Sequence, residues 1–502
     1  MTNSYRQILR SSSIIGGASV INIAVGLLRT KIAALLLGPA GVGLIGLLQN
    51  MMSTGAGIAG LGVGNVGTRQ IAQATAAGGE DAVAVTRRAL FWLTLILAMA
   101  GALLFWLLRD ELAWRVLGDR SRGTEVAWLA AGLALTVASA SQSALLNGMR
   151  RIGDLARISV FSGVVSTAIA IAAVVWWGQR GILAFVLAAP VASFLLGHVY
   201  VARLGKLRGG SVSLAAMAAQ WRVMLGLGAA FMVSGLVTNL GQLAARTLIQ
   251  HDLGPEALGH FQAAWLISMT YLGFVLGAMG TDYYPRLAAA IGEPEQVNRL
   301  VNEQTEVALL LAGPVFLGML ALAPWVIDLL YSRAFSDATG ILRWQVLGDV
   351  LKVASWPLGF VILAAGDGRT FMLTEGVAIG VFVGLLACLL PMAGILSAGI
   401  SFFAMYAVLA PAVYVIVRRR TGFRWAPAVW RRLLLLFIAS AAVAGLGSWR
   451  EDAAVVVGLL AALGFGVDGL ARLGHMAGLG GAVGRLAGLS RKMMMKAGVW
   501  HE

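Results

Sequence analysis

Five basic residues stand where the surrounding chain is apolar enough to lie in a lipid bilayer: Arg29 and Lys31 in one run, Arg246 in another, and Arg343 and Lys352 in a third. A cation at mid-membrane costs about 2.5–3.5 kcal/mol on insertion scales, so such a residue normally faces a partner or an aqueous cavity. Cations gathered in a wet cavity bind anions. Two acids share the same surroundings, Asp349 and Glu375. Asp349 and Lys352 are three residues apart and share one face of a helix. They either neutralise one another or divide the chemistry, with Lys352 on an anionic substrate and Asp349 orienting it or exchanging a proton. Glu375 is the second candidate for proton coupling, because a buried carboxyl titrates near neutral pH when its surroundings disfavour the charge. Trp344, next to Arg343, offers a flat face that can stack on a sugar ring. No Ser/His/Asp or Cys/His arrangement accompanies these residues.

The runs that carry them are membrane spans. The 502 residues are 59% hydrophobic and 12% charged, with a mean hydropathy of +0.83, whereas a soluble domain has about 25% charged residues. A span needs about 20 apolar residues. The pattern predicts an all-α polytopic membrane protein with about fourteen helices, at 12–37, 42–66, 89–108, 126–146, 158–177, 181–201, 221–249, 257–281, 305–330, 339–364, 370–390, 394–417, 433–448 and 453–471. Most Lys and Arg fall on the even-numbered connections and the two tails, so the positive-inside rule places both termini in the cytoplasm. The densest clusters are Arg418, Arg419, Arg420, Arg424, Arg431 and Arg432, and Arg203, Lys206 and Arg208. They read as anchors against anionic lipid, so the net charge of +15 does not imply nucleic acid. One cysteine, Cys388, and five scattered His give neither a disulfide framework nor a metal site. Gly62 to Gly67 spells GxGxxG but ends a predicted helix instead of following a strand, so no dinucleotide cofactor is expected.

The chain also repeats itself. Leu37-Gly38-Pro39-Ala40-Gly41-Val42-Gly43 matches Leu253-Gly254-Pro255-Glu256-Ala257-Leu258-Gly259 at an offset of 216 residues. Gly181-Ile182-Leu183-Ala184 matches Gly394-Ile395-Leu396-Ser397 at an offset of 213. Two pseudo-symmetric six-helix lobes follow, 1–205 and 206–420, then two further helices in 421–472 and a basic tail over 473–502. Six is even, so both lobes enter from the same side, and their interface is the natural substrate site. Subtracting 216 places Arg246 opposite Thr30, between Arg29 and Lys31, so both lobes bring positive charge to one depth.

The run FSDATGILRWQVLGDVLKVASWPLGFVILAAGDGRTFMLTE, Phe335 to Glu375, resembles the corresponding part of Wzx flippases, with WQVLGDVLKV at its core. LLRTKIAALLLGPAGVGLIGLLQ, Leu27 to Gln49, is similar to the same family and, more loosely, to the wider multidrug/oligosaccharidyl-lipid/polysaccharide (MATE-like) exporter superfamily. The likeness covers about residues 5 to 420. It implies a bacterial inner-membrane protein that moves an undecaprenyl-diphosphate-linked oligosaccharide, such as an O-antigen or enterobacterial common antigen unit, from the cytoplasmic to the periplasmic leaflet by alternating access. The cavity cations of that family would be Arg29, Lys31, Arg246 and Lys352, with Arg343 and Trp344 as further substrate contacts. The implied partners are the lipid-linked glycan, membrane lipids and other polysaccharide assembly proteins. The last two helices depart from the family's usual twelve. A cation-coupled drug antiporter of the superfamily is the rival reading, but it would want acidic cavity walls. A membrane-embedded glycosyltransferase or polymerase needs catalytic loops outside the bilayer, and only Arg109 to Glu125, with Asp110 and Glu111, has the length.

Overall fold

The computed structural model describes residues 2–76, 80–204 and 213–477. Lys206, Arg208 and the expected basic tail beyond Ala477 lie outside the described residues. Every described element is helical, as hydrocarbon requires of a chain that must satisfy its own backbone polar groups. The first elements are α1 (Thr2–Ala59), α2 (Val63–Ala76), α3 (Glu80–Leu107), the single turn α4 (Arg109–Leu112), α5 (Gly123–Gly148), α6 (Ile152–Trp177), α7 (Ile182–Ala202) and α8 (Leu214–Asp252). Then come α9 (Gly254–Ala290), α10 (Pro294–Ala321), α11 (Ala323–Leu330), α12 (Ala338–Ala364) and α13 (Gly368–Ala393). The series ends with α14 (Leu396–Thr421), α15 (Pro427–Trp449) and α16 (Glu451–Ala477).

Ten stretches among the described residues are long and apolar enough to cross a membrane, and two of them, 16–59 and 152–202, each hold two helical rods. The first is divided at Gly38, whose φ of 65° and ψ of −171° break the helix, and at Pro39, which has no N–H to donate. α8 and α9, joined at Gly254, are two more long rods, so fourteen long rods stand among the described residues, the number of helices expected.

The repeat is written in the backbone. Gly38 and Gly254, 216 apart, both have positive φ (65° and 86°). Gly178 and Gly394, also 216 apart, cap α6 and α13 with nearly equal angles (54°, −129° and 52°, −137°), and their N–H groups reach equivalent carbonyls, Val174 and Leu390. At the next junction Arg150 and Gly366 have φ of 56° and 73°, and three successive hydrogen bonds recur: Met149, Arg150 and Arg151 to Leu145, Asn147 and Leu146, against Ala365, Gly366 and Asp367 to Val361, Leu363 and Ile362. The second match read from sequence therefore needs correcting. Gly394 is the equivalent of Gly178, not of Gly181, and one offset of 216 serves both halves. The sequence misled because Gly181, just before α7, begins a Gly-Ile-Leu run like the one that begins at Gly394.

By contacts the chain forms two compact units, 1–259 with 330–334, and 260–329 with 335–502. In the first, α1 packs on α5, α6 and α8, α5 on α2, α3 and α7, and α6 on α7. The first unit thus includes α8, beyond residue 205, because α8 lies along α1, α2 and α3. Its two repeat elbows meet backbone to backbone: a Cβ on Gly43 would stand 2.7 Å from the Gly259 nitrogen and the Pro255 carbonyl, and one on Gly259 would strike the Pro39 carbonyl. In the second unit α12 packs on α14 and α10, α13 on α14, and α10 on α15 and α16. Outside the spans, Asp367 accepts from the Thr370 N–H and hydroxyl and from Arg420. These bonds hold its carboxyl well below the usual carboxylate range and tie the α12–α13 turn to the end of α14.

Candidate functional site

The cations of the first unit stand on two helices that pack together. Arg29 of α1 donates to the Phe185 carbonyl of α7 at 2.9 Å, with its guanidinium 4.2 Å from the centre of the Phe185 ring. The carbonyl and the ring face hold the charge with no acid in contact among the described residues. Lys31, two residues on, is half-buried. Arg246 of α8 is 4% exposed and donates to Gln242, one turn back, at the backbone carbonyl (3.2 Å) and at Oε1 (3.4 Å). The polar character continues along these helices, where Asn239 Nδ2 lies 3.8 Å from the place a Cβ on Gly57 would occupy. Asn50 Oδ1 and Thr54 Oγ1 of α1 are buried with no hydrogen-bond partner. Buried polar atoms without partners mark a place where water or a ligand group completes the bonding.

The second unit holds a polar cluster around α12. Asp349 is fully buried, and its Oδ2 accepts from the hydroxyls of Ser268 (2.7 Å) and Tyr271 on α9. Its Oδ1 has no partner. Gln345, one turn earlier, is fully buried with neither amide atom bonded, and Ser401 Oγ on α14 is likewise unpartnered. Lys352, less than a turn beyond Asp349, interacts with it electrostatically but without a close salt bridge among the described residues. Its Nζ lies 3.7 Å from Met269 Sδ and 5.5 Å from the centre of the Tyr406 ring, which suits a cation screened by sulfur and π density. Glu375 of α13 is half-buried. The repeat supplies an internal control. The positions equivalent to Gln345 and Asp349 are Leu129 and Leu133 of α5, which are 0% and 1% exposed. The same fold closes around leucine there, so architecture alone does not demand the polar pair.

Two expected substrate contacts are placed elsewhere. Arg343 Nη1 donates to the Gly447 carbonyl at 2.6 Å and Nη2 approaches Glu451 at 3.9 Å, so this guanidinium caps the end of α15. Trp344 lies against Gly399 and packs on Phe403 of α14, with ring centres 5.6 Å apart. Sequence reasoning missed Ser268, Tyr271, Gln345 and Tyr406. The spacing of Ser268 and Tyr271, three apart on one face of an apolar helix, was the available signal.

Among known proteins, the family described as "Polysaccharide biosynthesis protein" matches residues 32–339. The lipid III flippase of Escherichia coli (strain K12) is 23% identical over 424 residues, covering 80% of this chain and 97% of that one. An inward-facing MATE family multidrug transporter of the MOP superfamily superposes with a TM-score of 0.67 at 19% identity, over 82% of this chain and 99% of the other. The lipid II flippase MurJ in an inward closed conformation gives 0.67 at 11%, over 91% and 98%. These structures share the transporter fold, and the family match spans more than half of the sequence. A two-fold repeat of helices, cations on packed helices and a match of that length lead to one conclusion: the chain belongs to the polysaccharide biosynthesis protein family.

Proposed function

We propose that the protein is a flippase for an isoprenoid-diphosphate-linked oligosaccharide, carrying it from the cytoplasmic to the periplasmic leaflet of the bacterial inner membrane by alternating access. The observation that carries this reading is the set Arg29, Lys31 and Arg246 on α1 and α8, two helices packed together. A diphosphate cannot cross hydrocarbon unaided, because burying an unpaired anion is prohibitively costly. Cations on a wet path remove that barrier, while the isoprenoid tail stays in lipid. The named activity of the Escherichia coli relative supports the same substrate class. Lys352 assists the diphosphate, and Asp349, with Glu375, couples the cycle to protons or another cation. The leucines at the equivalent places in the first repeat support a functional origin for that polar cluster. A carrier of cationic drugs would find the α1 and α8 charges repulsive, which disfavours the antiporter reading.

The test is translocation of a defined lipid-linked glycan in proteoliposomes. Arg29→Glu and Arg246→Glu are each expected to lower flux at least tenfold while membrane abundance of the chain stays at the unsubstituted level. Unchanged flux in both variants would overturn the assignment.

A further inference from the structure

The basic cluster at the end of α14 and the start of α15 is not uniform. Arg420 bonds Asp367, and Arg432 is buried against Glu306 (2.5 Å) and Asp468 (3.2 Å). Arg418 and Arg424 have no carboxylate partner among the described residues and instead line one end of a cleft of about 810 Å³ among α12, α14 and α15. Beyond them the walls are apolar and aromatic, with Leu351 and Leu358 of α12, Tyr414 of α14, and Leu433, Leu434 and Phe437 of α15. Trp430 and Leu434 are half-exposed on the flank that would face the bilayer.

The charged end is a built feature. Asn302 of α10 clamps the 424–426 segment by donating to the Arg424 carbonyl (3.1 Å) and accepting from the Ala426 N–H (2.7 Å). Trp425 is fixed by stacking on Tyr414, with planes 7° apart, and by the edge of Phe423. Two guanidinium groups without a carboxylate counter-ion among the described residues, at the mouth of an apolar cleft, are complementary to an anion joined to a hydrocarbon chain.

We propose that this cleft is a binding site for an anionic phospholipid of the adjoining leaflet, its phosphate held by Arg418 and Arg424 and one acyl chain lying along α12 and α15. The proposal stands whether or not the flippase reading does. Basic pockets between transmembrane helices on the cytoplasmic side hold such headgroups, and the positive-inside rule puts this cluster there. An acyl chain in the cleft joins α15, which has no counterpart in the first repeat, to the six-helix bundle.

Thermal unfolding of the full chain in detergent, titrated with dioleoylphosphatidylglycerol or dioleoylphosphatidylcholine, tests the proposal. The anionic lipid is expected to raise Tm and the zwitterionic lipid to leave it unchanged. Arg418→Gln with Arg424→Gln should weaken the response roughly thirty-fold in lipid concentration. Arg419→Gln with Arg431→Gln, equally basic neighbours outside the cleft, should keep it. Ala410→Phe, which narrows the chain-binding part and leaves both arginines, should weaken it as well. Equal losses in the two double variants would mean general surface charge and overturn the site. So would an equal Tm rise with inorganic phosphate alone, or saturation by undecaprenyl phosphate at lower concentration than by phosphatidylglycerol, which would give the cleft to the cargo class.

Discussion

A carboxylate inside a membrane bundle is tolerable when donors reach it, and Asp349 has two, both on one oxygen. The other oxygen, the Gln345 amide and the Ser401 hydroxyl are left with unused bonding capacity. Asp349→Asn preserves the shape and removes the titrating group. Its expected consequence is that glycan flux in proteoliposomes no longer responds to an imposed pH gradient, while Tm falls by no more than the loss of a hydrogen bond or two would cause, about 1–3 kcal/mol of stability. A variant whose flux still follows the gradient would place coupling elsewhere. Asp349 and Lys352 were legible in the sequence because their spacing and apolar surroundings are local properties. Ser268, Tyr271 and Tyr406 were not, since they reach the cluster from other helices and only tertiary packing selects them. Arg343 and Trp344 show the same limit from the other side. Sequence gives a residue's depth in the membrane but not its azimuth, and these two turn toward α15 and α14.

At the scale of elements, the two C-terminal helices are fastened by charge. Arg432 of α15 bridges Glu306 of α10 and Asp468 of α16, and Asp468 also accepts from Arg472 at 2.7 Å. The positive-inside pattern groups Arg432 with surface anchors, yet it is 8% exposed inside this network. Charge counting along a sequence cannot separate the two fates, because both place arginine near a helix end. Removing one partner of a buried ion pair strands the others, at a typical cost of 3–5 kcal/mol. Arg432→Met is expected to cost about 3 kcal/mol, the low end, because Asp468 keeps some solvent access. Proteolysis between α14 and α15 should accelerate in the variant. An unchanged Tm together with unchanged cleavage would show that apolar packing alone holds the pair.

At the scale of the whole molecule, the succession of long rods was readable from hydropathy, including the division of α1 at Gly38 and Pro39, but not all their limits: the expected span 42–66 is broken after Ala59, and the expected span 305–330 is split between α10, which begins at Pro294, and α11. The repeat was readable at its first landmark and misaligned by three residues at the second, because glycine and leucine are too common here for a short tetrad to fix register. Backbone angles fix it, since few positions require positive φ. The elbows 37–43 and 253–259 are equivalent in the repeat and touch through glycine. Gly259→Ala has no room against the Pro39 carbonyl and is expected to prise the elbows apart. A cysteine at Ala40, in a chain whose Cys388 is replaced by Ser, should then react several-fold faster with a membrane-impermeant maleimide. Equal rates would mean that the elbows already separate freely. The joint is also silent about cargo, for peptide groups meet there without side chains to carry chemical preference. A descendant of this chain could alter every residue that touches a sugar and leave the bearing on which its elbows turn untouched.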